Sequence, residues 1–77
     1  MQRTKPGIGR SEVLCGIEQW IIGRNGERDR AIMRMYMIDG ITFARMQDRL
    51  EESGYELSID QIKKVVRRRK EELFRHI

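Results

Sequence analysis

Three short glycine-containing breaks divide this chain into four segments, each of a length typical of a helix. The breaks lie at residues 23–26, 39–40 and 53–54. Glycine readily adopts the left-handed backbone conformation that commonly ends a helix. Within the segments, apolar residues recur at spacings of three and four, and no alternation typical of a β-strand is present. The sequence therefore predicts an all-α fold, a small four-helix domain.

Capping residues set the predicted helix boundaries. Ser11 is expected to cap a first helix that runs to about Ile22, and the second helix is expected to begin near Glu27. Thr42 is the predicted cap of a third helix that ends near Ser53. Each of these polar caps precedes an apolar stripe at helical spacing, which is the pattern of an amphipathic helix packed on a core.

The last helix has the clearest start in the chain. Ser58 and Gln61 have the spacing of a capping box, in which each side chain accepts a hydrogen bond from the other residue's backbone N–H. The helix is expected to run to about Arg75. Its inner face is marked by apolar residues, namely Ile59, Ile62, Val65, Val66 and Leu73. Together with the helix before it, this helix has the form of a helix-turn-helix.

The chain is long enough for one domain, which we assign to residues 11–77, preceded by a mobile basic arm at residues 1–10 that holds the only proline. The arm lacks the apolar segment of a secretory leader, and no apolar run is long enough to cross a bilayer. A small domain with a single cysteine and no disulfide is typical of reducing compartments. We therefore expect a cytoplasmic protein.

The residue types needed for several kinds of chemistry are missing. Cys15 is the only cysteine and His76 the only histidine, so the sequence offers neither a zinc site nor a Cys/His nucleophile pair. We predict no catalytic residues, no metal and no cofactor, and hence a protein that is not an enzyme.

The positive charge is concentrated at the end of the chain. Residues 1–57 carry nine basic and nine acidic side chains, whereas residues 58–77 carry seven basic and three acidic ones, which accounts for the net charge of +4. Six of the eight residues from Lys63 to Lys70 are basic. Such a cluster on one element is typical of a contact with phosphates, although many charged helix faces are only solvated.

A helix-turn-helix places its second helix in the DNA major groove. Because the apolar residues point inward, the side chains left to contact DNA are predicted to be Gln61, Lys63, Lys64, Arg67, Arg68 and Lys70. The first three lie near the start of the helix and are assigned to base edges, since lysine can donate to guanine and glutamine can pair with adenine. The last three lie further along and are assigned to phosphates.

Three short motifs between residues 27 and 70 carry a family resemblance. They are a turn, a pair of core residues and the start of the last helix, namely Gly40-Ile41-Thr42-Phe43, Met46 with Leu50, and Ser58 with Ile62-Lys63. They resemble the promoter-reading fourth region of sigma factors and related small phage and prophage regulators. The resemblance implies a helix-turn-helix at about 42–70 in a transcription regulator of a phage or mobile element that binds double-stranded DNA directly.

The chain departs from the family pattern in two places. Gln47 stands where the family has a small residue, and residues 51–57 form a longer connection than the family's tight turn. The longer connection is expected to change the angle between the two helices and, with it, the docking geometry. The other domains of a sigma factor have no counterpart among these residues.

Two other functions are compatible with the sequence. In the first, the basic helix docks on an acidic protein partner, such as RNA polymerase or another regulator, and Met33 and Met37 form a partner surface instead of the core packing that we favour. The second is RNA binding, which is less favoured because no aromatic residue for base stacking lies between Ser58 and Leu73.

The oligomeric state depends on the apolar residues at the end of the chain. Leu73, Phe74 and Ile77 are expected either to fold back on the first helix or to form the seam of a homodimer. We favour the monomer.

Overall fold

The computed structural model describes residues 9–76, which form four helices. The second helix changes from α to π geometry at Arg34 without a break in the chain. The elements are α1 (Arg10–Trp20), α2 (Gly26–Met33) with its π-helical continuation (Arg34–Asp39), α3 (Phe43–Glu52) and α4 (Ile59–His76). No strand occurs within residues 9–76, so the predicted all-α, four-helix class is confirmed.

The start of α1 differs from the prediction. Gly9, and not Ser11, is the cap residue, because Glu12 stands three positions after Gly9 and its Oε1 accepts from the Gly9 backbone N–H at 3.2 Å. Arg10 therefore belongs to α1, and its Nη2 donates to the Ile38 carbonyl at 3.0 Å. The rest of the predicted arm, residues 1–8, lies outside the described residues.

The π-helical continuation of α2 was not predicted from the sequence. It ends at Gly40, whose φ of +67° allows the backbone N–H groups of Gly40 and Ile41 to turn back to the Met35 carbonyl. The predicted end of the second helix at the second glycine break is thus confirmed. Short π segments inside α-helices are frequent at functional sites.

The third helix begins and ends as predicted. Thr42 caps it, with Oγ1 accepting from the Arg45 backbone N–H at 3.3 Å. At the other end, the Tyr55 N–H donates to the Leu50 carbonyl at 2.8 Å around Gly54, which has a φ of +93°. This is the hydrogen-bond pattern of a Schellman motif, and it turns the chain into the connection at 53–58.

The connection before α4 is tied to α3 by a side chain. The Nε2 of Gln47 donates to the Leu57 carbonyl at 3.0 Å. The predicted capping box follows at once, with the Ser58 N–H donating to Gln61 Oε1 at 2.8 Å and the Gln61 N–H to Ser58 Oγ at 3.1 Å. These bonds set where α4 begins relative to α3.

The three other helices all contact α4, and the core lies between them and α4. Met33 is completely buried in this core and Met37 is partly buried against it, so the favoured core packing is confirmed for Met33. Leu73 is also completely buried, whereas Phe74 is 43% exposed. At the far end of α4, His76 stacks on Trp20 of α1 with ring centroids 4.2 Å apart. None of the helices in residues 9–76 has the length and hydropathy that a membrane span requires.

Candidate nucleic-acid interface

The candidate interface is built on α4, which has three distinct faces. Successive residues of an α-helix are rotated by about 100°, so residues seven apart lie on the same face. One face packs into the core through Ile62, Val65, Val66 and Leu73. The cationic residues between these positions are divided among the remaining directions, and neighbours in the sequence have different surroundings.

Arg69 lies on the core side of α4 and binds a buried carboxylate. Asp29 of α2 has no exposed surface, and its Oδ2 accepts from Arg69 Nε at 2.8 Å while its Oδ1 accepts from Arg28 Nε at 2.9 Å. Arg69 also donates to Glu72 Oε1 at 2.7 Å and to the Ile22 carbonyl at 3.1 Å. The bonds of Arg69 to Asp29 and Ile22, which we call the tether, join α4 to α2 and to the residues just after α1.

The charge of Arg69 is permanent in this environment. Burial alone would lower the pKa of Arg69, but the hydrogen bonds to Glu72 and Asp29 more than offset this effect, and the pKa is raised above its ordinary value. A cation with a raised folded-state pKa contributes its stabilisation at every pH below its ordinary pKa and loses it only as the pH rises through the folded value. Arg69 therefore carries its positive charge over the whole neutral range.

The side of α4 that faces away from the core carries exposed cations. Lys64 and Arg67 are exposed, and Arg68, 59% exposed, lies with one guanidinium nitrogen 3.7 Å from Asp29. Gln61 is exposed at the first turn, but its Oε1 is engaged in the capping box. All six predicted residues are exposed, and Arg67 stands at the boundary between the solvent side and the groove described next, which it also lines.

The two other predicted residues lie on the flank of α4 that faces α3 and the π segment. The Nζ of Lys63 is 5.7 Å from the centroid of the Phe43 ring, and the Nζ of Lys70 is 6.0 Å from that of Tyr36. Both distances are in the range of a cation–π interaction. The two rings stack on each other, with centroids 5.7 Å apart, and form one wall of an open groove of about 800 Å³.

The cations of the middle of α4 are not neutralised by carboxylates. Among the ion pairs of residues 9–76, none includes Lys63, Lys64, Arg67 or Lys70. By contrast, Arg69 and Arg28 are paired with Asp29, and Arg30 and Arg34 with Glu18. Other described cations without an ion pair, Arg10, Arg24, Arg45 and Arg49, are spread over three other parts of the chain, whereas α4 carries its unpaired cations close together, as a polyanion-binding surface requires.

Two functional features of α4 were missed in the sequence. The tether could have been found, because Arg69 stands seven residues after Ile62 and four before Leu73, on the apolar stripe. A cation in that register needs a buried partner. The groove had no such signal, since Tyr36, Phe43 and Phe74 lie on three separate elements.

Metal ions and cysteine chemistry require particular arrangements of side chains. Residues 9–76 contain no group of three His, Cys, Asp or Glu side chains arranged to hold a metal ion. Cys15 is exposed and unpaired with another cysteine. No known family model, curated protein or solved structure matches the chain significantly. The resemblance to the fourth region of sigma factors therefore stays a prediction.

Proposed function

We propose that the protein is a cytoplasmic, non-catalytic transcription regulator that binds double-stranded DNA as a monomer, with α4 in the major groove. The observation that carries the proposal is a capped and tethered helix whose solvent side presents Lys64 and Arg67 without a carboxylate partner among the described residues. A rigid cationic helix of this kind loses little conformational entropy when it docks. The sigma-factor resemblance supports the same function.

The proposed contacts follow the order of residues along α4. Its first turns carry Gln61 and Lys64, which would reach base edges, and Arg67 and Arg68 further along would reach phosphates. Each base contact would be worth about 1–3 kcal/mol of discrimination. Gln61 has a special constraint, because bidentate pairing with adenine needs the same Oε1 that caps Ser58. We therefore expect Gln61 to act through its amide N–H groups, as a donor to a base acceptor.

The experiment is an NMR titration of the labelled protein with mixed-sequence duplex DNA, at low and at moderate salt. Docking of α4 predicts shifts centred on residues 58–70 that fade as salt rises, because phosphate contacts release counterions. If the spectrum of the folded protein is unchanged at low salt, α4 does not bind DNA and the proposal is wrong.

Two variants test the division between base and phosphate contacts. Lys64→Ala is expected to reduce the preference among duplex sequences, whereas Arg68→Ala is expected to weaken binding to all of them and to lower the salt slope by about one. Arg34→Gln removes one positive charge on the π segment, where Arg34 pairs with Glu18, and serves as the matched control. Equal effects of Lys64→Ala and Arg68→Ala on preferred and random duplexes would contradict the division.

A further inference from the structure

The groove beside α4 has features that DNA docking does not require. Its apolar surface comes from Tyr36 of the π segment, Phe43 at the start of α3, and Val66 and Phe74 of α4. Phe74 is 43% exposed although it is large and apolar. The volume of about 800 Å³ is within the range of concave binding sites.

The charges around the groove are strongly biased. Four cations line it, Lys63, Arg67, Lys70 and Arg75, together with one carboxylate, that of Glu71. None of these cations forms an ion pair with another described residue. An apolar floor with a cationic rim is complementary to a segment that is apolar on one side and acidic at its edges.

We propose that this groove binds an acidic amphipathic helix of a partner protein. The apolar side of such a helix would pack on Phe43, Val66 and Phe74, and its carboxylates would pair with Lys63 and Lys70. A helix lying in a groove recognises its partner through anchors at spacings of three, four and seven, which suits an elongated site along α4. The proposal goes beyond the proposed DNA binding, because it assigns a second macromolecular partner to the groove, which shares only Arg67 with the proposed DNA contacts.

Two other occupants fit the groove less well. A second copy of this chain would have to bring its own acidic surface, but its exposed apolar groove is as cationic as the one that it would fill. Single-stranded nucleic acid usually stacks its bases on exposed aromatic faces. Here Tyr36 and Phe43 stack on each other, and the Nζ atoms of Lys70 and Lys63 lie over those rings, so that a base stacking on either face would have to displace the neighbouring ring or the cation.

The test uses the whole chain and designed fluorescent peptides about four helical turns long. One peptide has leucine and phenylalanine on one side and glutamate on the other. A second keeps every glutamate but replaces the apolar residues with serine, and a third probe is single-stranded oligothymidine. The first peptide is expected to bind about tenfold more tightly than the second, with NMR shifts at Tyr36, Phe43 and Phe74.

Variants connect that binding to the groove. Phe74→Ser is expected to lower affinity for the first peptide about tenfold and to leave duplex DNA binding unchanged. Leu14→Ser is the matched control, because Leu14 of α1 is 40% exposed and does not line the groove. Lys70→Glu is the second variant, with Lys64→Glu on the solvent side as its control. Circular dichroism establishes that each variant is folded.

The outcomes separate the proposal from its alternatives. Tight binding of the first peptide that Phe74→Ser and Lys70→Glu weaken, and that the controls do not, supports the docking site. Equal affinity for the two peptides would show that charge alone attracts them, and the proposal would be wrong. Tighter binding of oligothymidine, with shifts in the groove, would assign the groove to nucleic acid instead. If the solvent side of α4 does not bind DNA, the proposed function is wrong, but the peptide results still test the groove.

Discussion

Basic side chains on two sides of α4 have opposite surroundings. On the core side, Arg69 is 11% exposed and is held by Asp29, Glu72 and a backbone carbonyl. On the other, Lys63 and Lys70 lie over aromatic rings without a carboxylate partner among the described residues. Because a helix turns by about 100° per residue, Arg69 and Lys70 point in different directions although they are adjacent. A basic run is therefore not one functional unit.

The largest expected effect comes from breaking the tether. Arg69→Met should lower the free energy of unfolding by about 3 kcal/mol, because it leaves the buried Asp29 with Arg28 as its closest remaining cation. Urea denaturation followed by circular dichroism measures the change. Arg68→Met is the matched control, with an expected loss below about 1 kcal/mol, since Arg68 is 59% exposed. Equal losses of unfolding free energy in the two variants would show that the buried Arg69 contributes no more to stability than the exposed Arg68.

A double variant tests whether the ion pair or the packing of side chains holds α4 against α2. Asp29→Leu with Arg69→Met replaces the buried pair by apolar side chains, and such replacements are often close to neutral. We expect the double variant to recover about 2 kcal/mol of the loss caused by Arg69→Met alone. Urea denaturation of the unmodified protein, of each single variant and of the double variant gives the coupling energy between Asp29 and Arg69. Additive losses would mean that the two side chains act independently.

The connection that positions α4 is expected to contribute less. Gln47→Leu removes the amide that donates to the Leu57 carbonyl and should cost about 1 kcal/mol in urea denaturation. Gln19→Leu makes the same chemical change at an exposed position of α1 and should have little effect. An unchanged midpoint for Gln47→Leu would show that the hydrogen bond does not hold the connection.

The smallest effect is expected on the groove flank. Lys70→Met keeps the aliphatic stem but removes the ammonium over Tyr36, and should cost about 0.5 kcal/mol. Lys64→Met, on the solvent side, should leave the free energy of unfolding unchanged. If the two variants are equally stable in urea, the cation over the ring contributes nothing to folding.

The two departures from the sigma-factor pattern turn out to be connected in space. In the predicted resemblance, Gln47 stands where the sigma-factor pattern has a small residue, and the connection after α3 is longer than the tight turn of that pattern. In the structure, the Gln47 side chain donates to Leu57, the last residue before the cap of α4. The larger polar residue therefore supports the longer connection, and its position between Met46 and Asp48 gave no sign of which backbone group it would reach.

The sequence alone determined the local features of this protein. The helix class, the caps at Thr42 and Ser58 and the ends at Gly40 and Gly54 could be predicted, because they depend on hydrogen bonds between residues close in the chain. The cap of α1 was missed by two positions, since glycine and serine both compete for that place.

The tertiary structure alone decided which basic residues are held in ion pairs between helices and which stay exposed without one among the described residues. Arg69 meets Asp29 across forty positions in the chain, and the groove joins three separate elements. Such contacts depend on the packing angles of the helices, which are set by the whole core and not by any local pattern. The six predicted contact residues are close in the sequence, but in the folded protein Lys63 and Lys70 lie beside the aromatic rings of the groove, Gln61, Lys64 and Arg68 lie outside it, and Arg67 borders both regions.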